Sequence, residues 1–142
     1  MPEAVERRFD EIVMGDEAMF DVVLTEALVD QFAALSGDYN PLHMDEGFAQ
    51  QSTFKGRVVH GFVGASFFSR LVGMHLPGVH ALYLSQKILF RSPMRIGMKV
   101  SVRGKVVGRT EAARTITIQT QVIDTDTGTC CVDGEAIVRV LA

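Results

Sequence analysis

The segment that decides the fold is residues 62–74, with the sequence FVGASFFSRLVGM. Its apolar side chains lie at positions spread around the whole circumference of a helix, and only Ser66, Ser69 and Arg70 are polar. A helix that is apolar on nearly every side has to be surrounded by other parts of the protein. We therefore expect a central buried helix, ended by Pro77-Gly78.

The chain on either side of this helix predicts β-strands. One strand starts at Met19, and the helix is followed by strands over 81–91, 99–107, 115–124 and 130–140, the last three of which alternate cleanly between apolar and polar residues. Their connections are short and carry turn residues, namely Pro93, Gly97, Gly108 and the Asp126-Thr127-Gly128 triplet. The fold class is therefore α+β, with an antiparallel sheet wrapped around the central helix, which is the layout of the hotdog fold.

A single domain is expected to span residues 1–142, and residues 1–17 are an N-terminal extension that could be flexible. Between the first strand and the central helix lie two short helices. Thr25 can cap the first, in which Leu28, Phe32 and Leu35 recur at helical spacing before Gly37, and Asp45 can cap the second.

Composition excludes several classes of protein. The net charge of −3 provides no basic field for nucleic acid or an anionic membrane, and no apolar run approaches the ~20 residues needed to cross a bilayer. The adjacent Cys130 and Cys131 point to opposite faces of a strand, so a disulfide scaffold is excluded. The N-terminus lacks the pattern of a secretory signal, and we expect a soluble cytoplasmic protein.

The loop 36–43, SGDYNPLH, places a carboxylate and an imidazole five positions apart across a turn stiffened by proline. If Asp38 and His43 face one cavity, they can hold and deprotonate a water molecule and return a proton elsewhere on a substrate. The alternative is structural: Asp38 closes the turn and His43 caps or packs. Spacing alone does not choose between these interpretations.

A second candidate feature is Gly61, which follows His60 at the start of the apolar helix. Unpaired N–H groups and the positive end of the helix dipole favour negative charge at such a position, so the Gly61 amide could stabilise a developing oxyanion. Equally, the glycine could serve only a tight turn from loop to helix. For Ser66 and Ser69, the simple interpretation is a hydroxyl bonded back to a carbonyl one turn earlier, and the alternative is that one of them steadies the Asp38 and His43 pair.

These motifs together resemble the MaoC-like (R)-specific enoyl-CoA hydratases, also called the hydratase 2 family. The resemblance rests first on the loop 36–43 and then on Phe48-Ala49, Val59-His60-Gly61-Phe62 and Ala65-Ser66-Phe67-Phe68-Ser69. It continues through Leu76-Pro77-Gly78 into Tyr83-Leu84, so it covers most of the chain from about the first strand onward.

The resemblance implies reversible hydration of a trans-2-enoyl-CoA to the (3R)-3-hydroxyacyl-CoA, without a metal or a redox cofactor. Asp38 and His43 match the family's catalytic pair, and Gly61 matches the amide that binds the thioester carbonyl. Asn40 matches the asparagine that shapes the loop, and Ser69 a serine near the pair. Members are homodimers whose sheets join side by side, so the resemblance also implies at least a dimer that takes an acyl-CoA substrate.

Other functions remain open from the sequence. One is a hotdog acyl-CoA thioesterase, which needs a carboxylate but no acid aimed at the α-carbon. Others are a dehydratase of a substituted hydroxyacyl-CoA or acyl-carrier-protein substrate, and a non-catalytic acyl-binding or partner-binding domain.

No metal is expected, because the four histidines lack a compact ligand spacing. Two sets of residues stay unassigned: candidates for the acyl pocket (Phe32, Leu35, Leu42, Phe62, Phe67, Leu84) and for the CoA phosphates (Lys55, Arg57, Lys87, Arg91, Arg95).

Overall fold

A computed structural model describes all 142 residues, which form one five-stranded antiparallel sheet and four α-helices. The strands follow the order β1-β3-β4-β5-β2 across the sheet. Their bounds are β1 Glu17–Val23, β2 Ala81–Phe90, β3 Lys99–Thr110, β4 Thr115–Asp124 and β5 Cys130–Val140. The helices are α1 Glu26–Ser36, α2 Pro41–Met44, α3 Glu46–Gln50 and α4 Gly61–Arg70. This is the predicted α+β hotdog architecture.

The central helix α4 packs one side of its surface into the sheet. Val63, Ala65 and Phe68 are buried in a cluster that includes Val102 and Val132 from the facing strands. At Leu71 the helix continues as a wider π turn over Leu71–His75, and Leu76 is buried directly after it. The alternation of β3, β4 and β5 supplies the apolar face that receives α4, as the sequence predicts.

The expectation that α4 is enclosed on all sides is only partly met within one chain. Phe62 is 57% exposed, and Ser66 and Ser69 also face outward. The prediction of burial on every side therefore holds for Val63, Ala65 and Phe68 but not for Phe62.

Helix α1 begins and ends where predicted, but of the residues at helical spacing Leu28 and Phe32 are half-buried and Leu35 is exposed. The Thr25 hydroxyl accepts the Leu28 N–H at 3.2 Å, and Gly37 ends the helix with φ of 78°. The buried residues are Val29 and Ala33, whereas Leu35 is 84% exposed. All these residues are apolar, so their spacing alone does not show which stripe meets the sheet.

Strand β3 is longer than predicted because Gly108 lies in the strand. The pairing of β3 with β4 shifts register between Val106 and Gly108, and the strand then continues to Thr110. Gly108 therefore lies at a β-bulge and not in the turn that follows the strand. A bulge accommodates one extra residue in a strand while the hydrogen bonding to the neighbouring strand continues.

Residues 1–17 are not a separate flexible extension. Phe9 and Ile12 are buried in a cluster that also holds Val106, Ile116 and Val138. The Phe9 N–H donates to the carbonyl of Ala142 at 2.8 Å. The segment therefore closes one end of the sheet core, a role that its charged neighbours in the sequence obscure.

No helix combines the length and apolar character needed to cross a membrane. Both cysteines are free thiols, with Cys131 buried and Cys130 partly buried.

Candidate active site

Asp38 lies in the loop between α1 and α2, where three side chains shape the backbone. The Ser36 hydroxyl accepts the Asp38 N–H at 3.1 Å, and Asp38 Oδ1 accepts the Asn40 N–H at 3.1 Å. Asn40 in turn caps α2 by accepting the Leu42 N–H at 2.9 Å, with Pro41 at the first helical position. Oδ2 of Asp38 takes no part in these bonds, so it remains available to a ligand.

His43 is oriented by the strand-like segment that precedes α4. Its Nδ1 lies 2.7 Å from the carbonyl oxygen of Val58. A carbonyl can only accept, so Nδ1 carries the proton and donates, and Nε2 of the neutral ring keeps a free lone pair. The ring bonds to the main chain and packs against His60, which fits the structural alternative, and this orientation also leaves Nε2 free for a proton.

Arg57 bonds to the main chain of His43. Its Nε donates to the His43 carbonyl at 2.6 Å, and its terminal nitrogen pairs with Glu26 at 2.9 Å, with the Arg57 side chain 11% exposed. Arg95 likewise donates to the main-chain carbonyls of Phe54 and Gly56. These two arginines are therefore engaged with the backbone and are poor candidates for the CoA phosphates.

His60 is a site residue that the sequence analysis did not assign. Its ring is 2% exposed and packs between His43, at 4.1 Å between centroids, and Phe32, at 4.9 Å. Nε2 of His60 donates to the main-chain carbonyl of Asp38 at 2.9 Å, whereas Nδ1 is buried without a partner. The only signal in the sequence was its position immediately before Gly61.

Asp38, His43 and His60 bring one carboxylate oxygen and two ring nitrogens within 4.8 Å of one another. The premise that the histidines lack a compact metal-ligand arrangement is therefore wrong. The two imidazole rings are tilted by 31°, with 4.1 Å between their centroids. Nδ1 of His43 lies against the Val58 carbonyl and Nε2 of His60 against the Asp38 carbonyl, so one nitrogen of each ring is already engaged with the main chain.

Gly61 begins α4 at the same cavity. Its N–H has no acceptor within the helix, and the preceding His60 provides no side-chain cap. A Cβ at Gly61 would lie 2.6 Å from Cδ1 of Phe90, which packs edge-on against Phe62 at 5.2 Å between ring centroids. Only glycine therefore fits here with Phe90 in place.

The cavity that joins these groups has a volume of about 430 Å³. Asp38, His43, His60 and Gly61 line it together with apolar side chains, and Arg91 lies at its edge, where it pairs with Asp133 at 3.1 Å. Of the residues considered for an acyl pocket, Phe32 and Phe62 line this cavity. Leu35 and Leu84 are exposed.

Ser69 lies away from the pair, in a neighbouring apolar groove of about 330 Å³. The two hollows share Phe32 and Phe62, so the groove continues from the cavity. At its other side the Tyr83 hydroxyl donates to Gln86, and burial raises the pKa of Tyr83 to about 12. Tyr83 therefore remains a neutral hydrogen-bonding group at any ordinary pH.

Comparison with known proteins agrees with this architecture. The model of the MaoC-like domain family matches residues 10–127. A solved (R)-hydratase structure from A. caviae superposes with a TM-score of 0.88 at 36% identity, covering 91% of this chain and 97% of that one. Both the fold and the site thus define a hotdog protein of the hydratase type.

Two curated relatives match over almost their whole length. A protein of Rhodospirillum rubrum named (R)-specific enoyl-CoA hydratase is 37% identical over 134 residues, or 94% of this chain and 92% of the relative. One of the same name from Aeromonas caviae is 38% identical, over 89% of this chain and 93% of the relative. The chain belongs to the MaoC-like domain family, as its motifs predict.

Proposed function

We propose that this protein catalyses the (R)-specific, reversible hydration of trans-2-enoyl-CoA to (3R)-3-hydroxyacyl-CoA. Asp38 and His43 act as the catalytic pair, Gly61 binds the thioester oxygen, Asn40 supports the pair by capping α2, and Ser69 supports the substrate by lining the neighbouring groove. The observation that carries the proposal is the convergence of the Asp38 carboxylate and the His43 ring within 4.8 Å, in the cavity that the first residue of α4 also lines. The names of the relatives agree with it.

The proposed reaction assigns one step to each of these groups. The thioester oxygen accepts the Gly61 N–H, which withdraws electrons from the conjugated double bond and makes the β-carbon electrophilic. Water held between Asp38 and His43 Nε2 attacks that carbon, forming the C–O bond while the pair takes up one proton of the water. A proton then passes from the pair to the α-carbon on the same face, which gives syn addition and restores the pair.

The two hollows suggest how the substrate lies. The acyl chain would run from the cavity past Phe32 and Phe62 into the groove that ends near Tyr83 and Gln86. The thioester would remain at Gly61, with the CoA part leaving past Arg91. This arrangement places the reacting carbons beside the catalytic pair and the apolar chain against apolar side chains.

The test is the loss of the enoyl absorbance of crotonyl-CoA, measured with chiral analysis of the product and an assay for free thiol. We expect an (R)-3-hydroxy product, no thiol release and full activity after dialysis against EDTA, because no metal or other cofactor is required. Asp38→Asn and His43→Gln should each lower kcat by about 100-fold to 10,000-fold. Release of thiol would instead identify a thioesterase.

The dehydratase alternative differs only in the substrate and the preferred direction. A panel of enoyl thioesters on CoA and on acyl carrier protein, with short, long and branched chains, distinguishes these cases. Preference for the carrier protein by more than about 10-fold in kcat/KM, equivalent to ~1.4 kcal/mol, would overturn the assignment of CoA as the carrier. Binding of every thioester without turnover would indicate an acyl-binding domain.

We also propose a homodimer in which the edges of β2 from two chains lie side by side. β2 is an edge strand, and Leu82, Leu84 and Phe90 are each at least 44% exposed on it. A second copy there would pair the free edge and cover the open side of α4. Light scattering should give twice the chain mass, and Leu82→Glu should shift it toward the monomer. A monomeric wild-type protein would contradict this arrangement.

A cytoplasmic location is proposed on the basis of the free thiols Cys130 and Cys131. Burial raises the pKa of both, which keeps them as unreactive thiols. Cell fractionation is the test, and recovery in a secreted fraction would contradict the proposal.

A further inference from the structure

The segment from Arg57 to His60 holds both members of the catalytic pair through their main chains. Arg57 donates to the carbonyl of His43, and His60 donates to the carbonyl of Asp38. The carbonyl of Val58, between them, orients the His43 ring. A short stretch immediately before α4 therefore fixes the positions from which both catalytic side chains project.

The hydrogen bond from His60 to Asp38 connects residues much farther apart in the sequence than the other hydrogen bonds of Asp38 do. The bonds involving Ser36 and Asn40 connect residues two positions apart within the loop. The His60 bond spans 22 positions and joins the loop to the residue that precedes Gly61. It therefore sets the distance between the carboxylate and the amide that binds the thioester, which local bonds cannot do.

The surroundings of His60 also lock its tautomer. Nε2 must carry the proton in order to donate to the Asp38 carbonyl. The opposite tautomer would place a lone pair of Nε2 against that carbonyl and leave a buried N–H at Nδ1 with no acceptor. Because the ring is buried between Phe32 and His43, water cannot replace the lost hydrogen bond at Nε2 or accept the unpaired N–H at Nδ1.

We propose that His60 is a positioning residue for the reaction, holding Asp38 in register with Gly61 through the bond from Nε2 to the Asp38 carbonyl. Its catalytic effect rests on the proposed hydratase function, whereas its structural effect does not. His60 itself exchanges no proton with the substrate. It acts by keeping the attacking water, the carboxylate and the thioester in one geometry.

Two substitutions separate the donor from the ring. His60→Phe keeps an aromatic ring between Phe32 and His43 but removes the donor, whereas the side-chain amide of His60→Gln can donate from a position near that of Nε2. We expect kcat for crotonyl-CoA to fall about 100-fold in His60→Phe, with KM within about 3-fold of wild type, as for a misplaced catalytic group. His60→Gln should recover at least about 10-fold of that loss.

The matched control is His80→Phe, since the His80 side chain bonds only Glu6 and lines neither the cavity nor the groove. Its kcat should equal that of wild type. In an Asp38→Asn background the effect of His60→Phe should shrink to less than about 3-fold, because the residue acts through Asp38. Full activity of His60→Phe, or equal losses in both backgrounds, would overturn the proposal.

Two measurements do not depend on activity. Nitrogen-15 NMR of the wild-type protein should find His60 as the Nε2–H tautomer, and hydrogen exchange at the Asn40 and Leu42 amides should accelerate in His60→Phe relative to His60→Gln. A proton on Nδ1, or exchange that is unchanged, would overturn the positioning role. If these results hold while wild type hydrates no enoyl thioester, the proposed function fails and the link between His60 and Asp38 stands.

Discussion

Substituting Gly61 by alanine tests the amide at the start of α4 without changing any ionisable group. The added Cβ would lie 2.6 Å from Cδ1 and 2.7 Å from Cε1 of Phe90. Nonbonded carbon atoms prefer about 3.5–4.0 Å, so the overlap is about 1 Å and the ring must move by that amount. Phe90 is 51% exposed and can swing outward, so we expect a loss of stability of only ~1 kcal/mol, at the low end of overpacking.

The loss of activity should be much larger than the loss of stability. The new methyl group enters the space proposed for the thioester oxygen at the Gly61 N–H, and the Phe90 ring that it displaces lines the same cavity. Removing one such donor from an oxyanion site costs about 100-fold to 1,000-fold in rate, and we expect kcat/KM of Gly61→Ala to fall in that range. The Phe90→Ala change in the Gly61→Ala background removes the overlapping ring and should recover at least about 10-fold.

The assay is the initial rate of crotonyl-CoA hydration with the melting temperature of each variant measured in parallel. Gly73→Ala is the matched control, because its Cβ would meet nothing within 4 Å, and it should retain full activity. Wild-type kcat/KM in Gly61→Ala would refute the role of this amide. If the Gly61→Ala/Phe90→Ala double variant is no more active than Gly61→Ala, the overlap with the Phe90 ring is not the cause of the lost activity.

Two further predictions concern stability. Gly134→Ala should unfold the protein at ambient temperature or cost more than about 3 kcal/mol, because its Cβ would overlap the main-chain carbonyl of Lys87 in the paired strand; a melting curve like that of wild type would contradict this. The bond from the Val13 N–H and the ion pair with Arg7 lower the pKa of Asp16 below 3.8. Asp16→Asn should therefore destabilise the protein above pH ~4 in urea titrations, and its deficit should vanish as the pH falls through the lowered pKa; a deficit independent of pH would exclude this cause.

The sheet could be predicted closely because its signal is local. Val100, Val102 and Val106 alternate with polar residues, and a strand has the same period wherever it lies in a fold. The position of Leu35 could not be predicted in this way. Which stripe of a short apolar helix is buried depends on the angle at which it meets the sheet, and that angle is set by residues elsewhere.

The candidate site was predictable in part. Asp38, His43 and Gly61 follow from a motif whose resemblance is specific, and all three line one cavity. His60 was missed because its role is a bond to a carbonyl 22 positions away, which no spacing encodes. Arg57 was considered for phosphate binding because its charge is visible in the sequence, while its bonds to the His43 carbonyl and the Glu26 carboxylate are not.

The most direct test of the account is the stereochemistry of addition, since the proposed mechanism has Asp38 and His43 act together on one face of the substrate. Hydration of crotonyl-CoA in D₂O, followed by NMR of the product, locates the deuterium at the α-carbon relative to the new hydroxyl at the β-carbon. We predict the (R)-alcohol with deuterium added to the same face as the hydroxyl. Addition of the two groups to opposite faces, or formation of the (S)-alcohol, would contradict a shared catalytic pair.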